Sequence, residues 1–70
     1  MKLSARNIIK GKVKKVNQGL VNTEVIVGLS DGLEIVAVVT KAAADNLNLN
    51  EGKEVYAVIN AADVILATDY

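Results

Sequence analysis

The sequence contains no cysteine and no histidine. Without cysteine, neither disulfides nor thiolate ligands can staple a small domain. Without histidine, a structural zinc site would have to be built from carboxylates alone, and the residue most used in acid–base catalysis is missing. Phenylalanine and tryptophan are also absent, leaving Tyr56 and Tyr70 as the aromatics. Surfaces that bind single-stranded nucleic acid stack bases on aromatic rings, at about 1–3 kcal/mol each. That contact is largely unavailable here. Eight basic and eight acidic residues give a formal charge of zero, unlike the strongly positive surfaces that neutralise many phosphates.

Other classes fall for similar reasons. No stretch approaches the roughly 20 apolar residues of a membrane-spanning helix. No Walker loop or G-x-G-x-x-G pattern occurs. Ser4 and Ser30 have no histidine to activate them, and the carboxylates sit mostly in turns or at exposed strand positions, where they read as solubilising charge. Enzyme is the class the sequence supports least. No signal-peptide pattern opens the chain, so a cytoplasmic location is expected.

What is present is apolar. Hydrophobic residues make up 51% of 70 positions. One domain over residues 1–70 is expected, with no room for a second core. A chain this short buries only roughly 60% of the surface its unfolded form exposes. With disulfides and zinc excluded, association between copies is the remaining route to stability. The charges are also unevenly distributed: Lys2, Arg6, Lys10, Lys12, Lys14 and Lys15 precede any acid, whereas Glu51, Glu54, Asp63 and Asp69 crowd the end beside Lys53. Opposite ends of this kind suit contact between copies, and solvated faces explain them equally well.

Proline is absent, and five glycines punctuate the chain. Residues 10–16 form a basic segment compatible with a strand. Their alternating lysines are one way an exposed or edge strand avoids aggregation. Asn17-Gln18-Gly19 reads as a turn, with the glycine expected at positive φ. Residues 21–27 alternate with the period of two that marks a strand. Asp31-Gly32 between two apolar runs is the strongest hairpin signal. Residues 33–40 are apolar throughout, which suits a strand buried on both faces. Residues 41–49 favour a helical turn or two, with Thr40 as N-cap. A turn at 50–52 leads into a strand over 54–59, where Tyr56 is expected in the core or at an interface. A break at 60–63 precedes a last strand over 64–68. The count predicts an all-β chain: a small five-stranded OB-like Greek-key barrel with one short helix between strands 3 and 4.

The run Leu3-Ser4-Ala5-Arg6-Asn7, followed by Lys10-Gly11-Lys12-Val13, resembles the signature of the molbindin family, small molybdenum-pterin-binding proteins with a Mop/TOBE-type domain. The likeness continues through Gly19-Leu20-Val21-Asn22-Thr23-Glu24-Val25 and Leu49-Asn50-Glu51-Gly52-Lys53-Glu54-Val55, and so covers essentially the whole chain. The resemblance implies a homo-oligomer, a hexamer built as a trimer of dimers, with molybdate or tungstate held between subunits. The metal would be bound as an oxyanion, not as a cation.

A tetrahedral dianion offers only acceptor oxygens, so its site needs N–H groups, hydroxyls and a cation or two. Mapped onto this sequence, the family's pattern implies Ser4, Arg6, Thr40, Ala43, Asn60 and Ala61 as the oxyanion-binding residues. Ser4 and Arg6 lie two apart, so in an extended segment both project to one side; capping and decorating the first strand is the plainer role for them. Thr40 serves equally as helix cap or anion donor, and the roles are compatible. Ala43 offers only its amide. Asn60 stands where many relatives carry lysine. Hydrogen bonds to charged groups are worth about 1.5–3 kcal/mol against roughly 1 for neutral ones, so that departure predicts weaker binding. Lys41 is the candidate for the missing charge.

These residues imply intracellular binding, storage or buffering of molybdate or tungstate. The alternative is an oligomeric interaction module with incidental or regulatory anion binding. Nucleic-acid binding through the lysines of residues 10–15 ranks third, and no membrane partner is expected.

Overall fold

In the computed structural model, which describes residues 6–69, four strands form one curled antiparallel sheet. They are β1 (Asn7–Gln18), β2 (Asn22–Gly28), β3 (Glu34–Thr40) and β4 (Glu54–Ile59), with helix α1 (Lys41–Asn46) between β3 and β4 and a 3₁₀ turn, η1 (Ala61–Asp63), after β4. The spatial order is β3-β2-β1-β4, that of a Greek key, in which a meander of three strands is joined by a fourth returning beside the first.

β1 organises the sheet. Its first half pairs with β4, from Asn7 opposite Ile59 to Lys12 opposite Glu54. Its second half pairs with β2, from Lys12 opposite Gly28 to Gln18 opposite Thr23. The register slips between Val13 and Lys15, and an extra residue on one strand bends it and sharpens its twist. The bend lets one long strand serve two partners. Gly11 sits at the crossing, where a Cβ would lie 2.7 Å from the Gly28 carbonyl oxygen; only glycine fits that approach.

The turns form where the sequence places them. Gly32 (φ 79°) and Gly52 (φ 89°) take the left-handed conformation their hairpins require. Gly19 does not. Asn17 and Gln18 belong to β1, and the reversal starts at Gly19, whose N–H donates to the Asn22 carbonyl at 2.8 Å.

The core is small. Val13, Val25 and Val27 form its centre, with Val16, Leu29, Val39, Leu49 and Val55 packed against them. Ala44 of α1 and Thr23 of β2 are buried as well.

Three expectations are corrected. The sheet has four strands, not five: residues 64–67 carry no helix or strand, and Ile65 and Leu66 are 92% and 89% exposed. An apolar β-rich run becomes a strand only where a neighbour offers its edge, and here no neighbouring strand does. β1 is central, hydrogen-bonded on both sides, so its lysines do not guard an edge. Lys10 instead pairs with Glu54 at 3.0 Å and Lys14 with Glu34 at 2.7 Å. Finally, β3 is not buried on both faces. Ile35, Ala37 and Val39 point inward, while Val36 and Val38 are exposed, as is Tyr56 on β4. No helix among the described residues is long and apolar enough to cross a membrane.

Candidate functional site

The implied anion-binding residues separate into two groups. The first lies where β3 ends. Thr40, opposite Asn22 on β2, is extended (φ −68°, ψ 155°) and caps α1: the Ala43 N–H donates to its hydroxyl at 3.1 Å. The Lys41 N–H donates to the Val21 carbonyl at 3.1 Å, pinning the first turn to the β1–β2 connection. The Lys41 side chain is exposed beside Thr40, and Ala43 is half-buried. Thus Thr40, Lys41 and Ala43 come together as the sequence suggests. The amide of Ala43 is already engaged by the Thr40 hydroxyl, however, so an anion would have to share or replace that bond.

The second group lies where β1 begins. Asn7 faces Ile59 in the ladder, and its side-chain amide donates to the Ile59 carbonyl at 3.3 Å. One step further along the same register, Arg6 stands across from Asn60. Arg6 is exposed at the bend before β1. Asn60 occupies the N-cap of η1 (φ −66°, ψ 138°), and its side chain makes no capping hydrogen bond; the Asp63 N–H reaches back to its carbonyl at 2.9 Å. Ala61 follows, exposed. Asp63 brings a carboxylate into the same turn, which opposes an anion. Ser4 lies outside the described residues.

β1 keeps the two groups apart. One is anchored to its β2-paired end and the other to its β4-paired end. Twelve residues separate those ends, a path on the order of 35 Å along an extended strand. Among the described residues no hydrogen bond or ion pair joins the groups.

The nearby charges are mostly committed. Lys10 and Lys14 are held by Glu54 and Glu34, and Lys53 donates to the Leu47 carbonyl. The Lys10 ammonium, hydrogen-bonded to Glu54 and attracting it, holds that carboxyl below its usual range, and the carboxylate in turn raises Lys10. Arg6, Lys12, Lys15 and Lys41 form no ion pair among the described residues. No cluster of three acidic side chains that could hold a metal ion occurs among them either. Sequence reasoning missed Asn22, whose pairing with Thr40 sets a second amide beside the first group; its even-numbered place in the alternation of residues 21–27 is the signal that could have found it.

The comparisons agree with this architecture. The TOBE domain profile matches residues 3–66. A probable molybdenum-pterin-binding protein of Haemophilus influenzae is 42% identical over 69 residues, covering 99% of this chain and 100% of its own length. Among solved structures, apo MopII from Clostridium pasteurianum superposes with a TM-score of 0.91 at 33% identity, over 96% of this chain and all of that one. The cytoplasmic molybdate-binding protein ModG, solved with molybdate bound, superposes with a TM-score of 0.90 at 48% identity, over 93% of this chain and 46% of that one. With the Greek-key order, the single helix after β3 and a match along nearly its whole length, the chain belongs to the TOBE-domain family, among its molybdenum-pterin-binding, or molbindin, members.

Proposed function

We propose that the protein binds molybdate or tungstate at interfaces between copies of itself, storing or buffering the oxyanion in the cytoplasm. The observation that carries this reading is the division of the donor set. Thr40 and the first turn of α1 supply a hydroxyl and amides at one end of β1. Arg6, Asn60 and Ala61 supply a guanidinium, a side-chain amide and a backbone N–H at the other. Neither group alone offers the convergent donors that a tetrahedral dianion requires, and a second copy can supply the missing half. The molybdate bound to ModG, at 48% identity, favours that ligand class.

Association has its own support. A single chain leaves residues 64–67 unpaired with any strand, with Leu66 89% exposed. It also leaves the edges of β3 and β4 open beside an apolar cavity of about 400 Å³ lined by Val25, Val27, Ile35, Val39 and Val55. The segment from one copy fits the opening of another, completing a five-stranded barrel twice over in a dimer. Three such dimers make the hexamer the family resemblance implies.

Native mass spectrometry with molybdate, tungstate and sulfate tests the reading. A hexamer taking up a defined number of molybdate or tungstate ions, and ignoring sulfate at matched concentration, is expected. Arg6→Ala should abolish most uptake while leaving the oligomer intact. An oligomer that takes up none of the anions would favour the interaction-module reading. Two features already point that way: Asn60 is neutral, and Asp63 lies in the same turn.

A further inference from the structure

β3 and β4 carry the same outward-facing row. On β3 it runs Glu34, Val36, Val38, Thr40; on β4 it runs Glu54, Tyr56, Val58 and, one step on, Asn60. Each row opens on a glutamate paired with a β1 lysine, Glu34 with Lys14 and Glu54 with Lys10. Each continues through two exposed apolar side chains: Val36 and Val38 at 59% and 64%, Tyr56 and Val58 at 55% and 45%. Each ends on the polar residue that starts a short helix, Thr40 before α1 and Asn60 before η1. The outer face of an antiparallel sheet ordinarily turns polar toward water, and contiguous exposed apolar surface marks an interaction site.

We propose that the outer face of β3 in one copy docks on the outer face of β4 in another, rows running the same way. This rests on the oxyanion-site reading above and specifies how its two halves meet. Three features select a second copy as the occupant. The aromatic ring of Tyr56 has two small valines to cover, with Ile8 beside Val58 in the ladder extending its platform. At the head of the rows, Glu34 comes to face Lys10 and Lys14 to face Glu54, so two pairs within chains become a four-charge network between them. At the foot, Thr40 comes to face Asn60, joining the donor groups that β1 holds apart. The two faces are different patches of one chain, so the contact is heterologous, and repeating it around an axis closes a ring.

The absence of cysteine makes the test direct. Chains carrying Val38→Cys and Val58→Cys are refolded together and treated with a short bismaleimide. The proposal expects the mixed Val38–Val58 cross-link to exceed both self-links several-fold. Predominant Val38–Val38 or Val58–Val58 links would mean that like faces pack about a two-fold axis, and would overturn it. Oligomer without any link would also overturn it, because the faces would then be open. A second measurement needs no variant: in a refolded mixture of ¹⁴N and ¹⁵N protein, zero-length amine–carboxyl coupling should join Lys10 of one isotope to Glu34 of the other, and its absence from the hexamer counts against docking. Anion uptake by the unmodified protein is scored separately. Uptake without the mixed link would sink the docking and spare the function; the mixed link without uptake would do the reverse.

Discussion

The Thr40 hydroxyl accepts the Ala43 N–H at 3.1 Å and closes the first turn of α1. A helix of six residues has little stability of its own, so the cap and the packing of Ala44 hold it in place. Thr40→Val, which keeps the shape and removes the acceptor, should lower stability by about 1 kcal/mol, the usual worth of such a cap. Thr40→Ser should restore most of it. In titrations with molybdate, Thr40→Val is expected to weaken binding far more than that loss explains, whereas equal binding by Val and Ser variants would confine Thr40 to a structural role.

Thr23 is fully buried, and its hydroxyl finds no hydrogen-bond partner among the described residues. It lies between Gln18 and Val39 in the ladder, facing the core. A buried hydroxyl without a partner carries a desolvation cost of about 1–3 kcal/mol, and an apolar group of the same shape removes it. Thr23→Val should therefore raise the urea midpoint with an unchanged slope. A lower midpoint would show that the hydroxyl is satisfied within the assembly.

Much of the fold was legible because the signals were local. Glu54–Ile59 was readable to the residue from its flanking turn and apolar run, and Asp31-Gly32 and Gly52 marked reversals that need positive φ. Thr40 announced α1 by chemistry alone. What could not be read depended on neighbours distant in sequence. Residues 64–67 have the composition of a strand, yet pairing is a property of two segments, and the other is not beside them within the chain. The lysines of β1 fit an edge or a centre equally well until the β4 pairing set Lys10 beside Glu54. The site residues likewise carried the right donor chemistry, but only the two-sided pairing of β1 revealed that they fall into two groups.

The Lys10–Glu54 pair makes a prediction about pH. Glu54 titrates lower in the folded chain than unfolded, so its share of stability is present above the unfolded value and lost as pH falls through the folded one. Lys10 titrates higher when folded, so its share is present below the unfolded value and lost as pH rises through the folded one. The difference in melting temperature between the parent and Glu54→Gln should hold a plateau through neutral pH. It should shrink below the usual glutamate range and again above the usual lysine range. Both side chains are exposed, so the plateau is low and salt flattens it further. A difference that ignores both pH and salt would assign the effect to packing beside Tyr56 instead.

The segment at 64–67 distinguishes a lone chain from an assembled one. In a single copy Ile65 and Leu66 are almost wholly in water, and a substitution at such a position normally changes stability by no more than about 0.5 kcal/mol. If the segment instead fills the cavity of a partner, Leu66→Asp buries a carboxylate among Val25, Val27 and Val55, where it has no cation to meet. The cost of an unpaired buried charge runs to several kcal/mol, enough to dissociate a small oligomer. Light scattering should then report a smaller species for Leu66→Asp at concentrations where the parent is fully assembled. Because the two donor groups would no longer meet, molybdate uptake should fall with it. Leu66→Met, which keeps the volume, should preserve both. A Leu66→Asp protein of unchanged mass would place the segment outside every interface and leave the open edge of β3 to be covered by something else.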